Sequence, residues 1–125
     1  MFKMFLAGVA MLAASTAIHA QENLVGDWNG TYRYRGGSSR DIDIGIELKI
    51  AKVEGSLVTG TARTLGGSCA GEYQLRGKLD GNNLGMASTN TAGSAGDCKF
   101  GFRAEVDGNT IKGRVGNFDM TLTRK

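Results

Sequence analysis

The chain has 125 residues, 20 of them glycine and none proline, with two cysteines, one histidine and a formal net charge of +3. That length supports a single domain, and 22% charged with 41% hydrophobic residues excludes a disordered chain and a polytopic membrane protein. A charge this small and this scattered also lacks the clustered basic face that nucleic-acid binding requires.

The first twenty residues have the layout of a secretory signal peptide. Lys3 supplies a positive n-region, residues 4–14 form an uninterrupted apolar run, and small Ala20 precedes Gln21 at the expected cut. The competing reading, a membrane anchor or buried helix, fails on length: the run is about eleven residues against the ~20 that a spanning helix needs. Glutamine rather than cysteine follows the cut, so no lipoprotein anchor is expected, and no later segment is apolar enough to span as a helix. Residues 21–125 are therefore expected as one domain in the periplasm or outside the cell. The single histidine, His19, leaves with the leader, and loss of Lys3 lowers the net charge by one.

From residue 25 onward the dominant pattern is alternation with a period of two. It predicts eight strands, near 25–35, 42–53, 56–63, 71–79, 84–89, 99–106, 110–115 and 118–124. In the first, Trp28, Tyr32 and Tyr34 share one face while Asp27, Thr31, Arg33 and Arg35 occupy the other. In the second, Ile42, Ile44, Ile46, Leu48 and Ile50 alternate with Asp41, Asp43, Gly45, Glu47 and Lys49. Tyr73, Leu75 and Leu79, then Phe100, Phe102, Ala104 and Val106, then Phe118, Met120 and Leu122 continue the scheme. One dry and one wet face per strand is the signature of antiparallel pairing.

Three connections share the form apolar, acid, Gly, small polar, apolar, centred on Gly55, Gly81 and Gly108. These are tight hairpins, with glycine supplying the positive φ that such turns demand. Residues 73–85 and 100–112 align across two of these turns, as a hairpin repeat would. The connections after strands one, three and five are longer and rich in glycine and serine, so in an up-and-down order they gather at one end. Eight antiparallel strands close most economically into a barrel, which removes exposed edges; a two-sheet sandwich is the alternative. An outer-membrane barrel is not expected, given the charged outer face of Arg33, Glu47, Arg76, Lys78, Arg103, Lys112 and Arg114.

Cys69 and Cys98 flank two of the long loops, and in an exported chain with no third cysteine they are expected to pair. Closing a loop of about 30 residues stabilises a fold by roughly 3–4 kcal/mol on chain-entropy grounds. Two thiolates with no histidine are a poor zinc set, and no CxxC spacing supports redox chemistry.

Gly26-Asp27-Trp28 at the start of the first strand resembles the Gly-x-Trp opening of lipocalins and of the wider calycin group, which includes avidins. The resemblance implies that a basic residue from the end of the last strand packs across the tryptophan and seals the closed end; Arg124 is placed for this, with Lys125 as substitute. A cation over an indole is worth about 0.5–2 kcal/mol. The chain is also similar to the compact eight-stranded barrels that bacteria export, among them inhibitors of lysozyme and of secreted metalloproteases.

The chemistry available is limited. Without histidine a Ser-His-Asp or Cys-His nucleophile cannot form. Asp41 and Asp43 lie on the solvent face beside Glu47, where a solvated surface explains them better than a glycosidase pair or a calcium loop. The Gly36-Gly37 and Gly66-Gly67 pairs precede no helix and cradle no phosphate. The Asn29-Gly30-Thr31 sequon falls inside a strand rather than in an exposed loop. No cofactor, no metal and no enzymatic activity are expected.

What remains is binding at the long-loop end. Tyr32, Tyr34, Tyr73, Phe100 and Phe102 form a large inward set for so short a barrel, which predicts a filled interior. In the alternative, Tyr34, Tyr73 and Phe100 wall a shallow pocket with Arg35 and Arg40 at its rim. The first expectation is thus a small apolar or amphipathic ligand. The second is a protein-binding module, such as an inhibitor of a secreted enzyme or a host-interaction factor. Arg35, Arg40 and Arg63 count against a cationic lysozyme as target, since an acidic mouth would suit it.

Overall fold

The computed structural model describes residues 24–35 and 41–125. The expected leader (1–20) and Arg40 lie outside the described residues. Eight strands follow one another as β1 (Gly26–Arg35), β2 (Asp41–Glu54), β3 (Leu57–Thr64), β4 (Gly71–Asp80), β5 (Asn83–Ser88), β6 (Gly101–Asp107), β7 (Thr110–Val115) and β8 (Phe118–Arg124). Each pairs antiparallel with its sequence neighbour, and β1 pairs with β8 from Trp28↔Arg124 to Tyr32↔Met120. That last ladder makes the sheet a closed barrel and disposes of the sandwich.

Strand phases follow the alternation, with two local departures. β2 carries a bulge between Ile50 and Lys52, where Ala51 is left without a partner. The extra residue resets the phase, which is how Ile50 and Val53, three positions apart, both reach the core. β6 begins at Gly101, later than the alternation predicts, because Cys98 and Phe100 have other partners. Cys98 bridges to Ala92, and the Phe100 N–H donates to the Ser88 hydroxyl at 3.0 Å.

Closure requires strongly coiled strands, and inward-facing glycines permit it. A Cβ on Gly30 would strike the Thr121 carbonyl oxygen of β8, and one on Gly77 would strike that of Gly85 in β5, both well inside van der Waals contact. Gly60 and Gly113 repeat the arrangement against β2 and β6. At these points a neighbouring backbone occupies the space a side chain would need.

The core is the continuous inward surface of all eight strands, from Leu24 and Trp28 at the short-turn end to Tyr73 and Phe100 at the other. Burying each large apolar side chain contributes about 1.5–3 kcal/mol. The short-turn end is sealed around Trp28, whose indole N–H donates to the Leu24 carbonyl at 2.9 Å. The Arg124 guanidinium lies 4.4 Å from the ring centroid and donates through Nη1 to the Val25 carbonyl at 3.1 Å. The Lys125 N–H donates to the Asp27 carbonyl at 2.9 Å, fixing the chain's end across this seal.

These contacts set the expected tolerance to substitution. Gly77→Ala or Gly30→Ala should cost about 3 kcal/mol, the upper range for overpacking, because the obstacle is backbone. Gly81→Ala, in an open turn at φ +61 with no atom near its Cβ position, should cost only about 1 kcal/mol from left-handed strain. Urea denaturation of the three variants measures both.

Candidate functional site

The loop end is lopsided because the ladders stop at different heights. β1 and β2 stay in register out to Arg35↔Asp41, whereas β1–β8 pairing ends at Tyr32↔Met120 and β2–β3 pairing at Ile46↔Thr64. The β1–β2 hairpin therefore projects past the rim, and its inward-phase residues run out of core. Tyr34 and Ile42, opposite each other in register, are 42% and 51% exposed. The Tyr34 ring leans on Phe118 of β8 with centroids 5.1 Å apart.

Leu65, 57% exposed, completes this apolar rim from the β3–β4 loop. Its N–H donates to the Gly45 carbonyl at 2.9 Å, and its Cδ1 lies 3.1 Å from where a Gly45 Cβ would sit. Glycine at 45 is what lets the leucine lie flat on β2. Between hairpin and loop opens a cleft of about 250 Å³, with Tyr32, Tyr34, Ile42, Ile44 and Leu65 among its walls.

Beneath and beside the cleft the barrel is plugged by rings. Phe100 packs on Tyr73 (5.7 Å), Phe102 (6.2 Å) and Tyr32 (6.4 Å). Tyr73 and Phe100 are 1% and 6% exposed. The Tyr73 hydroxyl donates to the Cys69 carbonyl at 2.5 Å, which also accepts from the Thr64 hydroxyl at 3.0 Å. Cys69 and Cys98 form a disulfide with Cα atoms 5.5 Å apart, tying the β3–β4 loop to the β5–β6 loop. The Ser94 N–H and hydroxyl both donate to the Ser68 carbonyl, and the Asn90 side chain joins Gln74 N–H to the Glu72 carbonyl. The β3–β4 loop is thus stapled at Ser68 and Cys69, and it also gives Leu65 to the exposed apolar rim.

Of the residues singled out in the sequence, Tyr34 lines the cleft, while Tyr73 and Phe100 form the plug below it. Arg35 ends β1 opposite Asp41, and Arg63 stands on the outer wall between Glu47 and Glu72 in register. Ile42, Leu65 and Phe118 belong to the rim and were not legible as such. Ile42 continues the core alternation without a break, and Leu65 is a lone apolar residue in a glycine-serine loop.

Burial raises the phenol pKa of Tyr73 above the ordinary 10.0, with the neighbouring Thr64 hydroxyl opposing the rise. Burial also raises that of Tyr32, helped by Tyr73 and Tyr34. Both phenols are therefore protonated at neutral pH and supply no base. Asp43 is exposed, 3.4 Å from the Arg33 Nε across the β1–β2 ladder. Among the described residues, no group of three or more His, Cys, Asp or Glu side chains is placed to hold a metal ion.

A closed eight-stranded antiparallel barrel with one disulfide is compatible with a calycin-like architecture. No family model matches the chain, and neither a curated protein nor a solved structure matches it.

Two consequences are measurable. Replacing Cys69 and Cys98 together by serine should lower stability by about 3 kcal/mol, read from the urea midpoint, with the loop end loosening first in amide exchange. The stability that these two phenols contribute should be fully present below the ordinary tyrosine value of 10.0 and be lost as pH rises past it. Unfolded phenols ionise first, so the unfolded state binds fewer protons there. Tyr73→Phe should flatten that alkaline decline in a pH series of denaturation curves.

Proposed function

We propose that the protein is an exported, non-enzymatic binding module that engages a partner protein through the apolar rim of its loop end. The observation that carries this reading is the exposure of Tyr34, Ile42 and Leu65 side by side around one cleft. An exposed apolar group of this kind marks an interaction surface, and an aromatic in a preformed depression is a typical binding anchor. The cleft, about 250 Å³, is smaller than the ~300–1,000 Å³ of most small-molecule sites, and Tyr73 and Phe100 fill the interior beneath it. It suits one apolar side chain of a partner better than an enclosed ligand.

The stapled loops favour the same reading. Their disulfide and hydrogen bonds brace the β3–β4 loop that lines the cleft, so little ordering cost falls on association. A disulfide is also compatible with an extracytoplasmic setting, where a secreted enzyme or a host protein would be met. A second reading, a small amphipathic molecule in the same cleft, draws on the tyrosines Tyr32 and Tyr34 beside Ile42 and Ile44.

Tyr34→Ala and Leu65→Ser should each weaken partner binding by at least about 30-fold, the threshold of an interface hot spot, while leaving far-UV circular dichroism unchanged. Capture from extracytoplasmic extract, followed by titration of the purified partner, measures this. Unchanged affinity in both variants would overturn the reading. Native mass spectra showing a co-purified small molecule, lost in Tyr34→Ala, would favour the second.

A further inference from the structure

The barrel wall is not uniformly closed. β6 and β7 are paired from Asp107↔Thr110 only as far as Arg103↔Arg114, yet β6 runs on to Gly101 and β7 to Val115. Beyond the last pair the two strands diverge, and a cleft of about 480 Å³ opens, lined by Met86, Gly101, Phe102, Arg103, Arg114 and Gly116. Met86 and Phe102, core residues each 4% exposed, are among the residues that line this opening. Gly101 and Gly116 put no side chain in the way.

The rim of the seam is cationic. Arg103 and Arg114 stand directly opposite each other in register, an arrangement that destabilises a sheet when the charges are alike. Arg114 has only an exposed contact with Asp119 at 3.7 Å, a kind of pair worth little. Arg103 has no ion-pair partner among the described residues. Its neighbour across β5 is Gly85, followed by Lys78 of β4. Along this row three cations face one acid, and the nearest acid on β6, Glu105, stands opposite Lys112.

We propose that the β6–β7 seam is a binding site for an amphipathic carboxylate, its head group bridging Arg103 and Arg114 and its alkyl chain lying on Met86 and Phe102. Two guanidinium forks side by side match a carboxylate's two oxygens. The bound anion removes the repulsion that the register imposes. Contact with Met86 and Phe102 is what would distinguish a tailed ligand from a free oxyanion. This site is separate from the Tyr34 cleft and does not depend on what binds there.

Sodium decanoate titrated into isotope-labelled protein is the test, followed through the amides of Gly85, Gly101 and Gly116. Saturable shifts there are expected, with Arg103→Ala and Arg114→Ala each weakening binding at least about tenfold, as loss of a charge-assisted hydrogen bond implies. Arg103→Glu should abolish binding yet raise the melting temperature, because it sets an acid opposite Arg114; this separates a lost site from a lost fold. Decanol and inorganic phosphate should each bind at least about tenfold more weakly, and Tyr34→Ala should leave the decanoate shifts unchanged. Equal affinity in the Arg103→Ala, Arg114→Ala double variant would overturn the proposal. So would shifts confined to the Tyr34 cleft, phosphate binding as tight as decanoate's, or no shift at all.

Discussion

Pairing of β1 with β8 is the constraint on which the rest of the structure depends. Once Trp28 through Tyr32 lie in register with Arg124 through Met120, the sheet has no edge left along that seam. Every inward side chain then faces every other across a narrow, dry interior. Such a closed cylinder has to be filled. Trp28, roofed by Arg124 and hydrogen-bonded to Leu24, fills one end, and the Tyr32, Tyr73, Phe100 and Phe102 rings fill the other. The glycines at 30 and 77 are part of the same requirement, because strands coiled tightly enough to close bring neighbouring backbones into the space of a side chain.

A filled interior moves any binding function to the rim and the outer wall. At the rim the decisive feature is unequal strand length. The stapled side, built on the disulfide and on the carbonyls of Ser68 and Cys69, turns its polar groups inward on itself and leaves little unsatisfied. Across the same cleft, the β1–β2 ladder outruns its neighbours and carries two inward-phase residues, so Tyr34 and Ile42 keep the chemistry of core residues without a core to cover them. Leu65 joins them only because Gly45 lets its loop settle on the strand. On the wall, the early end of β6–β7 pairing leaves an opening that Met86 and Phe102 line together with Arg103 and Arg114.

Much of the fold was legible from local rules. Alternation is a property of the extended backbone itself, so the isoleucines of β2 declared a buried face before any partner was known. The turn glycines declared the hairpins in the same way. The disulfide followed from there being two cysteines and no choice of pairing. The bulge at Ala51 and the late start of β6 were not legible, since each depends on what the neighbouring strand or loop offers in hydrogen bonds.

The candidate sites were harder to read for a related reason. An inward phase says which way a side chain points, not whether anything lies over it. Tyr34 and Tyr73 carry the same signal in sequence, and only the height of the adjoining strands makes one exposed and the other a plug. Arg103 and Arg114 are likewise ordinary wet-face residues until register sets them side by side. The sequence by itself determined the strands, their phase and the cross-link, because these follow from neighbouring residues and from composition. The tertiary structure decided which apolar groups are covered and which charges meet, because coverage and adjacency depend on where distant ladders begin and end.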